Sequence, residues 1–103
     1  MVDTTPLTRA VEQFADRLRA APQSRLQRGA AGEALGLARE LAVRAQRLET
    51  PGAEPREMPD AGMFAVADQV TVAAHDLASV APDASTVADA AHLVVEAQRR
   101  AGV

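Results

Sequence analysis

Residues 50–60 read TPGAEPREMPD, three prolines and a glycine in eleven positions. Proline removes an amide donor and clashes with the preceding helical turn, so neither a helix nor a central strand can run through this segment. The chain must fold as two stretches, one on either side of it. With 103 residues in all, neither stretch is large enough for a core of its own, and the two are predicted to share a single domain spanning 1–103.

Both stretches carry apolar residues at helical spacing. Leu7, Val11, Phe14 and Leu18 succeed one another by four, three and four, while Arg9, Glu12, Asp16, Arg17 and Arg19 fall on the other side. This first helix is expected to start near Thr4 or Thr5 with Pro6 in its first turn, where a missing donor costs nothing, and to end at Pro22. Ser24 is predicted to cap a second, longer helix whose inward positions are Leu26, Ala30, Ala34, Leu37, Leu41, Ala45 and Leu48. Gly29, Gly32 and Gly36 interrupt it, each at about 1 kcal/mol relative to alanine inside a helix. Close packing of the first helix on this glycine face is the preferred account; the alternative is a separate turn over 24–29, with the long helix starting near Gly32.

Beyond the prolines, Asp60 is expected to cap a third helix with Met63, Val66, Val70, Ala73, Leu77 and Val80 inward. Pro82 ends it, and Asp83 or Ser85 opens a fourth with Val87, Ala91, Val94, Ala97 and Ala101 inward and Gly102 at its close. No segment alternates with strand period. The predicted fold is all-α, a four-helix up-down-up-down bundle built from two antiparallel helical hairpins over 5–49 and 61–101, with 50–60 as the hinge. The hinge could also serve as an extended docking peptide, although a connector is the simpler role. Met58 and Met63 are placed to cover the end of the core.

The core implied by this pattern is thin. Phe14 and Phe64 are the only aromatic residues, so leucine, valine, methionine and many alanines must fill it, and alanine buries little area at about 25 cal/mol per Å2. A marginal monomer gains from covering apolar surface with a second copy. The absence of cysteine excludes disulfides, a thiolate nucleophile and a cysteine zinc site, and suits a cytoplasmic setting. No apolar run has signal-peptide or membrane-spanning length, so neither secretion nor a membrane partner is expected. There is no lysine beside the eleven arginines and alanine abounds, a bias that resembles the codon pressure of a high-GC bacterial genome and is not read as chemistry.

Charge divides unevenly. Residues 1–50 hold eight arginines against six acids, and residues 51–103 hold three arginines against eight acids. Opposite halves of this kind attract within one bundle or across a dimer. The net charge of −3 and the shortage of aromatics for base stacking argue against nucleic acid as a partner, despite Arg17, Arg19, Arg25 and Arg28.

Little in the chain points to chemistry. Asp89, His92 and Glu96 share one face of the fourth helix, and Asp68, His75 and Asp76 lie together on the third. If the faces met, His75, Asp89, His92 and Glu96 could hold a divalent metal, as facing carboxylates and histidines do in di-metal bundles. The string AHDLASVA around His75 resembles the alanine, histidine, any, leucine core of histidine phosphotransfer domains, which are also four-helix proteins. That resemblance implies a phosphoacceptor role for His75, although Ala78 and Ser79 stand where those domains carry lysine and glycine. The glycines follow no strand and precede no Lys-Ser or Lys-Thr pair, and Ser24, Ser79 and Ser85 have no histidine and acid around them in a diagnostic order. No catalytic or cofactor-binding residue is therefore assigned, and the chain is not expected to be an enzyme.

The third and fourth helices carry more apolar residues than one core face needs. Phe64, Val72, Val80, Leu93 and Val95 are the surplus, and they are predicted to form an interface. The function expected from the sequence is a small non-catalytic interaction, regulatory or scaffold protein, homodimeric. A metal- or small-molecule-binding bundle is the alternative, and a phosphotransfer-like domain using His75 a further one.

Overall fold

The computed structural model describes residues 1–103, and it is helical with no strand. Its elements are α1 (Thr5–Ala20), a single turn α2 (Gln23–Arg25), a π-helical turn (Leu26–Ala30), α3 (Ala31–Glu49), α4 (Val66–Val80) and α5 (Ala84–Ala101). The four long helices pack into a bundle, and the radius of gyration of 13.1 Å equals the ~13 Å of a compact chain this long.

Local chemistry explains most boundaries. Pro6 sits in the first turn of α1, the Asp3 carboxylate accepts the Thr5 N–H at 3.0 Å, and the extended Ala21 before Pro22 terminates the helix. Asp83 caps α5 by accepting the Thr86 N–H at 2.8 Å, and Gly102 closes it with a left-handed φ of 72°. Three expected caps are corrected. Ser24 makes no capping bond, because Pro22 in extended conformation starts α2. Ser85 lies inside α5 rather than at its start. Asp60 accepts the Gly62 N–H in a tight turn at 2.8 Å, and α4 begins only at Val66.

The three glycines also part ways. At Gly29 φ is 157°, a backbone state open to glycine, and the helix breaks into its π turn there. Gly32 and Gly36 stay in regular helix and face open space: a Cβ at either would meet nothing within 4 Å. The expected close approach of α1 to this face does not occur, because α1 packs elsewhere.

Twenty-three residues are buried, every one apolar, with Phe14, Leu7, Leu41 and Leu77 the largest. Eleven of them are alanines, which bring helix axes close together. The expected inward positions are met with few exceptions: Leu48 is exposed, Met63, Val80 and Ala91 are half-buried, and Ala90 takes the inward place beside Val87.

Helix order differs from two closed hairpins. α1 packs on α4 and α5, α3 packs on the same two, and the sequence neighbours α1/α3 and α4/α5 hardly touch. The reason is visible in the buried positions. Val66 and Ala67, and Ala73 and Ala74, are adjacent pairs about 100° apart on α4, an apolar arc wide enough to face two helices.

Helix direction differs too. Residues 50–65 do not form a hinge at one end; they run back along α3 as a strap. Arg56 lies beside Gln46, Met58 beside Arg39, and Gly62 and Met63 beside Gly32 and Leu35. Consequently α4 starts near the start of α3 and runs parallel to it, with Asp76 reaching Ala45. The end of α5 meets both the end of α1, through Arg25 and Gly102, and the start of α3, through Arg100 and Glu33. The bundle is thus up-down-down-up with one long crossover, which corrects the up-down-up-down expectation. Three prolines keep the crossover extended and out of either helix.

Candidate interaction surfaces

The candidate metal residues are not brought together. His75 is exposed on the outer side of α4, while Asp89, His92 and Glu96 lie on α5, diagonally across the bundle. Glu96 is already engaged: the Arg99 guanidinium donates to its carboxylate twice at 3.1 Å. That hydrogen bond, with the charges of Arg99, His92 and Arg100 behind it, holds the Glu96 carboxyl below the usual carboxylate range. Nowhere do three histidine or carboxylate side chains gather as a metal site would require.

His75 has no cation near it in sequence, since no arginine falls between Arg56 and Arg99. The Ser79 hydroxyl, which follows it by one turn, donates to the Asp76 carbonyl at 2.8 Å. Three of the four arginines near the α1–α2 junction are engaged, Arg19 bonding Asp68 at 2.8 Å, Arg25 the Gly102 carbonyl at 2.6 Å, and Arg28 the Ser24 carbonyl at 3.3 Å. No helix is long and apolar enough to cross a membrane.

The five surplus apolar residues do not form one face. Val80 and Leu93 are half-buried against the core, Val72 sits on the outside of α4, and Val95 sits on the outside of α5 across the bundle. Their surplus in the sequence came from a helix-by-helix count, which cannot tell that α4 and α5 look in opposite directions. Phe64 is different in kind. It is 75% exposed, the most exposed large apolar side chain apart from the terminal methionine, and it stands just before α4. It forms one wall of a hollow of about 190 Å3 whose other walls include Leu18, Ala21, Leu26, Met63 and Val66. A second hollow of about 330 Å3 shares Leu26, Met63 and Val66 and extends toward Leu35 and the bare backbone at Gly32. The Arg19–Asp68 ion pair flanks this region.

A second surface lies under the strap and was not legible from side-chain patterns. Gln46 of α3 holds Arg56 by both backbone groups, its amide nitrogen donating to the carbonyl at 2.9 Å and its oxygen accepting the N–H at 2.8 Å. Arg39 of α3 donates to the Met58 carbonyl at 2.9 Å and pairs with Glu57 at 3.4 Å. Gln69 of α4 donates to the Pro59 carbonyl at 2.8 Å. Met58 itself packs against the core along the side of α3, beside Ala42 and Ala45, rather than over the end of the core as expected. Arg39, Gln46 and Gln69 look in the sequence like ordinary solvated helix residues; the only hint was the run of prolines, which guarantees an extended backbone with unpaired groups.

Compared with known proteins, the chain matches no family model, and no curated protein or solved structure is similar to it.

Proposed function

We propose that this chain is a non-catalytic protein-interaction module of the cytoplasm that pairs with a second copy of itself through the Phe64 end of α4. The observation that carries this reading is Phe64: one of only two aromatic side chains, left 75% exposed beside an apolar hollow. Aromatic side chains bring about 150–250 Å2 of burial each and dominate the centres of interfaces. A projecting ring next to an apolar hollow is self-complementary, so a twofold arrangement lets each copy seat its ring against the other's Leu18, Ala21 and Leu26. Burying this end also adds apolar area that an alanine-rich core lacks.

The test is sedimentation velocity of the whole chain over a range of concentrations, beside Phe64→Asp. The wild-type chain is expected to sediment as a dimer and Phe64→Asp as a monomer with unchanged helical circular dichroism. A wild-type chain that stays monomeric up to high micromolar concentration overturns the reading.

A further inference from the structure

The strap is held as a bound peptide is held. Over residues 56–59 its side chains contribute one apolar anchor, Met58, and one carboxylate, Glu57, while α3 and α4 grip its backbone through Arg39, Gln46 and Gln69. Backbone capture with a few side-chain anchors is how grooves bind extended segments of other proteins.

One of the three grips is incomplete. Gln46 satisfies both ends of its amide on Arg56, whereas Gln69 donates to the carbonyl of Pro59 and its Oε1, shut off from solvent, has no partner. It is the one buried side-chain polar atom so left in the molecule. At the other grip Arg56 returns its N–H to Gln46, whereas Pro59 has no N–H to return to Gln69. A buried acceptor without a donor is a standing cost, and any extended residue other than proline at that place can relieve it. The strap also leaves space. A hollow of about 470 Å3 opens beside it, walled by Ala42, Ala45, Gln46, Met58 and Asp76.

We infer that the seam between α3 and α4 is a docking groove for an extended segment of a partner protein, and that residues 56–59 fill it in cis as an imperfect occupant. The segment it fits has a carboxylate one residue before a long apolar side chain, followed by a residue that keeps its amide N–H. The carboxylate meets Arg39, the apolar side chain replaces Met58, and the N–H supplies the donor that Gln69 Oε1 lacks. This deepens the reading of the chain as an interaction module, and it uses residues 56–59 and the α3–α4 seam rather than the Phe64 ring five residues further along the strap, so different substitutions test the two. The long helices contact one another directly, α3 with α4 most extensively, so their packing does not run through the strap.

The probes are two labelled peptides with the sequence of residues 54–61, one native and one with Pro59→Ala. The hosts are the full-length chain and its Met58→Ala variant, in which the strap loses its anchor, and fluorescence anisotropy reports binding. The variant is expected to bind the Pro59→Ala peptide about fivefold more tightly than the native peptide, the worth of one neutral hydrogen bond. Adding Gln69→Ala to the host should erase that preference. The wild-type chain should bind at least about tenfold more weakly than the variant, because its own strap competes at high effective concentration. Phe64→Asp in the host should leave peptide binding unchanged. No binding at millimolar peptide, or a preference that survives Gln69→Ala, overturns the proposal. If Met58→Ala does not fold, the wild-type chain with millimolar Pro59→Ala peptide decides: the Met58 methyl resonance must move as the strap is displaced, and an unmoved resonance overturns it.

Discussion

Gly29, Gly32 and Gly36 sit at helical spacing in the same stretch of chain but do different work. Gly29 adopts a φ of 157°, where a Cβ is strained whatever room surrounds it, and this state is what turns α2 through the π turn into α3. Gly29→Ala is therefore expected to destabilise the fold by about 1–2 kcal/mol. Gly32 and Gly36 have ordinary helical backbone and open space where a Cβ would go. Replacing either by alanine should stabilise by about 0.5–1 kcal/mol, since glycine's extra chain entropy is lost and nothing is displaced. Urea midpoints of the three variants check both signs; a stabilising Gly29→Ala or a destabilising Gly36→Ala would contradict this account. The sequence showed three helix-weakening residues and could not distinguish them, because only Gly29 falls at the kink ahead of α3, and residue type alone does not mark where that kink lies.

Among the elements, α5 has the best defined start. The Thr86 N–H and then its hydroxyl donate to Asp83, and these bonds hold the Asp83 carboxyl below the usual carboxylate range. A carboxyl whose pKa is lowered by folding lends stability that is present above its unfolded value and lost as the pH falls through its folded value. Thermal stability should thus be insensitive to this group at neutral pH and fall in strong acid. Asp83→Asn keeps an oxygen acceptor at the cap but removes the titration, so its melting temperature should depend less on acid than that of the wild type. Asp83→Ala should lower the melting temperature by a few degrees at neutral pH. Parallel acid slopes for Asp83→Asn and wild type would remove Asp83 from the list of groups that stabilise the fold. This cap was one of two candidates in the sequence, alongside Ser85, and the choice went to the residue that Pro82 positions in extended backbone ahead of the helix.

For the molecule as a whole, the consequential fact is that helices adjacent in sequence do not pack on each other. All extensive helix contact joins α1 and α3 on one side to α4 and α5 on the other. Neither half can therefore bury its apolar stripes alone, even though each holds two long helices. Fragments 1–52 and 53–103 should each be largely unfolded by circular dichroism and recover cooperative helical structure when mixed in equal amounts. A fragment that folds cooperatively by itself would show that its two helices can close as a hairpin. The charge difference between the halves acts in the same sense, with Arg19–Asp68 at 2.8 Å and Arg39–Glu57 at 3.4 Å joining them, while Arg100–Glu33 joins them at 2.9 Å with the charges reversed.

The sequence by itself determined that the chain is helical, where its helices run to within a few residues, and which side of each is apolar. These properties follow from spacing, proline and caps, all of which act within a turn or two of the residues that carry them. Tertiary structure alone decided the order and direction of the helices, and with them the two surfaces. Whether residues 50–65 turn at one end or lie back along α3 depends on Gln46, Arg39 and Gln69 meeting carbonyls ten or more residues away, and no local periodicity encodes that meeting. The same cause separated Val72 from Val95 and left Phe64 standing alone. Apolar count belongs to each helix, but a surface exists only once the helices have taken their places around a common core.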